Sequence, residues 1–99
     1  MDEIEFDDAG LKRLEKDTNF TNGLPQGIVK AFRKRMQYLR AAQDERDLYA
    51  WKSLHYEKMQ GDRSHQRSMR LNDQMRLVLE IKTHSKQSVI HVICIEDYH

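Results

Sequence analysis

Apolar residues recur at two different periods along this chain, and the change between them marks where helices give way to strands. Ile4 and Phe6 alternate with Glu3 and Glu5, the pattern of a short strand with one apolar face. Asp7 or Asp8 can cap the helix that follows, which carries Leu11 and Leu14. Residues 18–27 hold Asn19, Asn22, Gly23, Gly27 and the only proline, Pro25, and read as a loop. Ile28, Phe32, Met36 and Leu39 then return every three or four residues, which predicts a second helix running to about Ala42.

A polar stretch over residues 43–47 precedes Leu48, Tyr49, Trp51 and Leu54, a patch compatible with either a helical turn or an irregular crossing. Beyond Arg67 the period is two. Met69 and Leu71 alternate with Ser68 and Arg70, and Leu77, Leu79 and Ile81 alternate with Arg76, Val78 and Glu80. Asn72-Asp73 between these runs suits a hairpin, because both residues tolerate turn geometry. Residues 83–88 predict the next turn, and residues 89–95 are apolar on both faces apart from His91, as in a central strand. The order is β-α-α-β-β-β, an α+β fold with two helices packed on one face of a mainly antiparallel sheet.

Length allows one domain, residues 1–99. The net charge is only +1, so attraction to nucleic acid must come from local clustering rather than bulk charge. Asp2, Glu3, Glu5, Asp7 and Asp8 make the start acidic. Lys30, Arg33, Lys34, Arg35 and Arg40 form a helical run without an acid, and Arg63, Arg67, Arg70 and Arg76 form a second positive group. Cys94 is the only cysteine, which excludes an intrachain disulfide and points to a reducing cytoplasm. No apolar stretch approaches the roughly 20 residues that span a bilayer, and the acidic start is unlike a signal peptide. A soluble, unprocessed cytoplasmic protein with no membrane partner is expected.

If Met69, Leu71, Leu77, Leu79 and Ile81 face the helices, alternation sends Ser68, Arg70 and Arg76 to the opposite, uncovered face. Two forked guanidiniums side by side suit a phosphate or a phosphorane better than a single carboxylate. They read equally as solvated strand residues paired with Glu80 or Glu96. Asp97-Tyr98-His99 follows the last strand, and an imidazole titrating near neutral pH can take or give a proton there, although a terminal segment often frays. The other histidines lack close ligand spacing, so neither metal nor cofactor is expected. His91 reads as a core histidine and Cys94 as packing.

Taken together, Glu57 with Gly61-Asp62-Arg63, the run from Gln66 through Ser68-Met69-Arg70-Leu71-Asn72-Asp73-Gln74-Met75-Arg76-Leu77, and Asp97-Tyr98-His99 strongly resemble the HigB branch of the RelE/ParE toxin superfamily. The resemblance covers nearly the whole chain and implies a RelE-like fold. It implies the toxin of a type II toxin-antitoxin system, an endoribonuclease that cuts mRNA in the ribosomal A site without a metal. The partners it implies are a HigA-like helix-turn-helix antitoxin, the ribosome and mRNA. Operator DNA would be reached only through the antitoxin, with the toxin as co-repressor of its own operon.

On this reading Arg70 and Arg76 hold the scissile phosphate, His99 and Tyr98 move protons, and Asp97 orients one of them. Lys58, Arg63, Arg67 and Ser68 would contact neighbouring RNA or the ribosome. Some relatives carry a histidine where this chain has Glu57, with His55 two residues earlier, which leaves the general base open. Two other readings share the chain: a ParE-like gyrase inhibitor on the same fold, and a non-catalytic protein-interaction module.

Overall fold

A computed structural model describes residues 3–84 and 87–97 of the chain. In chain order the elements are β1 (Glu3–Phe6), α1 (Ala9–Lys16), α2 (Gln26–Ala41), α3 (Glu45–Ala50), β2 (Glu57–Lys58), β3 (Arg67–Arg70), β4 (Met75–His84) and β5 (Gln87–Asp97), with single 3₁₀ turns at Lys52–Leu54 and Gly61–Arg63. The strands form one sheet in the order β1-β5-β4-β3-β2. Only β1 against β5 is parallel, and the remaining pairs are antiparallel.

Local chemistry explains the boundaries. Asp8 caps α1, its Oδ1 accepting from the Leu11 amide at 2.8 Å. The stripe Ile28, Val29, Phe32, Met36 and Leu39 buries one side of α2 against Leu11 and Leu14 from α1 and against Met69, Leu77, Leu79, Ile90 and Val92 from the sheet. Each such side chain contributes about 1.5–3 kcal/mol on burial, so this layer is the main source of stability. The patch that the sequence left undecided is helical: Asp44 caps α3, and Leu48 and Leu54 drop into the same core. Trp51 closes it from outside, its ring 5.4 Å from that of Tyr38.

The sheet is more extensive than alternation suggested. Thr83 pairs with Ser88 and His84 with Gln87, so the ladder consumes most of the stretch read as a turn. The Asn72 hairpin forms as expected, with Asn72 Oδ1 accepting from the amides of Gln74 and Met75 at 2.8 and 2.7 Å.

A single irregularity sets the chemistry of the far face. Val78 pairs with Cys94 but Leu79 pairs with Val92, leaving Ile93 as an extra residue in β5. Before this bulge Ile90 and Val92 face the helices; after it Ile95 does. Unbroken alternation would have put Cys94 and Glu96 on the helix side with Val92. The bulge sends them to the other face, opposite Val78 and Arg76.

The basic run of α2 is largely structural. Arg33 donates to the carbonyls of Leu14, Asp17 and Phe20, fixing the α1–α2 connection. Arg35 Nε donates to the Arg70 carbonyl at 2.9 Å, and Arg40 donates twice to Glu15. Lys30 and Lys34 remain exposed.

Candidate functional site

The register of β3, β4 and β5 assembles the site on the sheet face turned away from the helices. Arg70 stands across from Arg76, and Ser68 across from Val78. β5 places Glu96 on the other side of Arg76.

This face was expected to be uncovered, and it is only partly so. Ser68 is 1% exposed and Val78 is fully buried, although both point away from the helices. Residues 57–66 supply the cover. β2 extends the sheet beside β3, and Gly61, at φ +65, turns the chain back through a conformation that an L side chain resists. The turn then carries Arg63 to Glu96 and brings His65 Nε2 within 3.3 Å of Glu80 Oε1. Met59 is buried in this segment outside the helix-side core, which gives the crossing its own apolar anchor.

Arg63, Arg76 and Glu96 form a compact ionic group. Arg63 Nη1 donates to Glu96 Oε2 at 3.0 Å and its Nη2 donates to Oε1. Arg76 Nη2 donates to the same Oε2 at 2.9 Å. Arg63 Nε is held by Gln66 Oε1 at 2.9 Å, so this loop arginine is aimed rather than loose. The Arg63 hydrogen bonds, reinforced by Arg76 and opposed by partial burial, pull the Glu96 carboxyl down to about 2. Arg63 and Arg76 also line a cleft of about 230 Å³ with Glu57, Lys58, Met59, Gln60 and Ser68.

The sequence candidates divide accordingly. Arg63, Arg76 and Ser68 line the cleft, and Lys58 reaches its rim from β2, where it pairs with Arg67. Arg70 is Arg76's cross-strand neighbour but does not line the cleft, and its buried Nε has no hydrogen-bond partner among the described residues. Arg67 lies on the opposite face, donating to Glu45 Oε2 at 2.9 Å and to the Ser64 and Gln66 carbonyls, and so ties α3 to the sheet. Asp97 pairs with Met75, on the side that carries Leu77 and Ile95. Tyr98 and His99 lie outside the described residues.

Two carboxylates matter that the sequence reading left off its site. Glu57 lines the cleft across from Ser68, and Glu96 joins the arginines. Glu57 had a signal in its position before the turn glycine; Glu96 was read only as a possible ion-pair partner of the strand arginines, and the structure pairs it with Arg76, on a face that depends on the bulge.

The rest of the face has a different character. His91, expected in the core, is half-buried on this face instead, Nε2 at 3.3 Å from Asp7 Oδ1 and Nδ1 at 3.5 Å from Glu5 Oε2. The parallel pairing of β1 with β5 brings that acidic segment alongside, so cations gather at the β3–β4 end and acids at the β1 end. Burial pushes the Cys94 thiol up, as befits a packing residue rather than a nucleophile. A wider hollow of about 550 Å³ by β1 and α1 mixes Glu5, Asp7 and Asp8 with Lys12, Lys16 and an Arg40 already engaged by Glu15. No helix among the described residues is long and apolar enough to cross a membrane.

Three helices against a mixed five-stranded sheet, with arginines on its other face, define a RelE-like toxin fold. A solved YoeB/ParE toxin from Agrobacterium tumefaciens shares it, with a TM-score of 0.61 over 98% of this chain and 99% of that one at 13% sequence identity. The chain belongs to the HigB-like toxin family, RelE-like toxins of type II toxin-antitoxin systems, whose family model matches residues 4–99. No curated protein sequence matches it. Membership in such a system implies an antitoxin as partner.

Proposed function

We propose that this toxin is a ribosome-dependent, metal-independent endoribonuclease that cuts mRNA by attack of a ribose 2′-hydroxyl on the adjacent phosphate. The observation that carries the reading is the cleft in which Arg63 and Arg76 stand beside Glu57, with Lys58 on its lining. Cations there offset the charge that builds on the phosphorane, and a carboxylate within the same cleft is suitably sited to take the 2′-hydroxyl proton. Arg70, with a buried donor left over, adds a further cation beside Arg76.

The remaining roles extend from this centre. Tyr98 and His99 deliver the proton to the leaving 5′-oxygen, whereas Asp97, on the side of Leu77 and Ile95, takes no part in the site. Lys58 contacts RNA flanking the cut, whereas Ser68, which is buried, and Arg67 serve the fold. The antitoxin is a HigA-like helix-turn-helix protein, and the pair represses its own operon in the cytoplasm. A ribosome programmed with a defined mRNA tests the reading: wild type should cut within the A-site codon, and Arg76→Ala should not. An intact message with wild type, or arrest of DNA synthesis before translation on induction, would remove it.

A further inference from the structure

The Arg63–Arg76 fork has an occupant that belongs to the chain itself. Glu96 Oε2 accepts from both guanidiniums, at 3.0 Å from Arg63 Nη1 and 2.9 Å from Arg76 Nη2, while Oε1 takes the second prong of Arg63. A phosphodiester presents the same motif, two non-bridging oxygens sharing one negative charge, and arginine forks bind carboxylate and phosphate in the same bidentate manner. The two arms differ in exposure. Arg76 and Glu96 are fixed across from each other on β4 and β5, whereas Arg63 stands on a one-turn 3₁₀ segment and is 39% exposed. Arg63 and Arg76 both open onto the cleft, so they can be reached from solvent without unfolding any element.

We propose that the Arg63–Arg76 fork is a phosphodiester subsite and that Glu96 holds it in the resting protein, so that RNA must displace the Glu96 carboxylate from Arg63 to engage. The subsite deepens the nuclease reading and rests on it for the identity of the natural ligand. Without RNA, Glu96 keeps two like charges converged that would otherwise repel each other. With RNA, a phosphate takes over that role, and the carboxylate becomes a competitor that limits affinity. A toxin that must leave one message before cutting another benefits from such a limit.

The sign of the expected effect is unusual for an active-site substitution. Glu96→Gln keeps size and one acceptor oxygen but loses the charge, so a short single-stranded RNA should bind about two- to fivefold tighter, the worth of one partly exposed ion pair. The slope of log affinity against log salt should steepen by about 0.7, one more phosphate neutralised on a single strand. Glu80→Gln adds the same net charge on the same face but away from the fork, and should give a clearly smaller gain. In the Arg63→Ala background Glu96→Gln should give little gain, because the arm that it frees is gone. Glu96→Asp, which shortens the competing arm, should shift binding the same way by less and covers the case in which Glu96→Gln fails to fold.

Fluorescence anisotropy with a labelled RNA oligonucleotide, read alongside cleavage on programmed ribosomes, separates the two layers of the argument. If wild type cuts mRNA but folded Glu96→Gln or Glu96→Asp binds no tighter, the subsite is wrong and the nuclease reading survives. If both variants bind tighter through Arg63 but wild type cuts nothing, the subsite stands and the nuclease reading falls. Equal gains from Glu80→Gln and Glu96→Gln would reduce the effect to net charge and overturn the proposal.

Discussion

Glu96 and Arg76 face each other across β5 and β4, with Arg76 Nη2 donating to Glu96 Oε2 at 2.9 Å, and this contact exists only because the bulge at Ile93 has shifted the phase of β5. Had β5 been regular, the carboxylate would stand on the helix side and the arginines would face each other unbalanced. The bulge therefore links the core, which needs Val92 and Ile95 inward, to the site, which needs Glu96 outward.

Deleting Ile93 removes the extra residue and should leave Val92 and Ile95 inward and Cys94 and Glu96 outward, each still opposite its present partner on β4. The expected result is a deletion variant that keeps a cooperative thermal transition and the Arg76–Glu96 contact, because no side chain beyond the bulge changes face. Circular dichroism melting checks this. Loss of the cooperative transition would show that the bulge does more than set the phase of β5.

The ion group should also appear in acid. The folded protein holds the Glu96 carboxyl at about 2 against an ordinary 4.5, chiefly through Arg63, so between those values the unfolded chain binds more protons than the folded one. Its contribution is fully present above pH 4.5 and is lost as pH falls towards 2, an effect on the order of 1 kcal/mol for a partly exposed group. Urea denaturation at pH 5 and at pH 3 should show a larger drop for wild type than for Glu96→Gln. Parallel drops would show that Glu96 does not report the pairing.

Arg67 is expected to act on stability and not on RNA. Tyr56 Oη and Arg67 Nε both donate to Glu45 Oε2, at 2.8 and 2.9 Å, and burial, followed by that hydrogen bond, pushes the Tyr56 hydroxyl well up. Arg67→Ala should cost about 1–2 kcal/mol, in the range for hydrogen bonds to charged groups tempered by exposure, and leave the salt dependence of RNA binding unchanged. A shallower salt slope in this variant would return Arg67 to the RNA surface.

The core sets the scale for these numbers. Phe32 is completely buried at the centre of α2, and Phe32→Ala should cost about 3–5 kcal/mol, a large share of a small domain's stability. Chemical denaturation measures it directly.

Much of this architecture was legible before any coordinates. The helix stripe from Ile28 to Leu39, the Asp8 cap, the Asn72 hairpin and the inward set Met69, Leu71, Leu77 and Leu79 all follow from periodicity, because each element buries one face. α3 and β2 did not, being too short for a period to register. The site was half legible for the same reason. Alternation put Arg70 and Arg76 on one face, but Arg63 arrives from a loop, and Glu96 depends on a bulge that leaves no mark among consecutive apolar residues. Arg67 illustrates the reverse: a basic residue beside the site in sequence, turned to the other face by the pleat and taken up by Glu45.

The chemistry of the cut ends tests the central claim most directly. After ribosome-programmed cleavage, the upstream RNA fragment should end in a 2′,3′-cyclic phosphate, or in the 3′-phosphate that forms when it opens, because the sugar's own oxygen made the new bond. An upstream fragment ending in a 3′-hydroxyl would show that water was the nucleophile and would contradict the account.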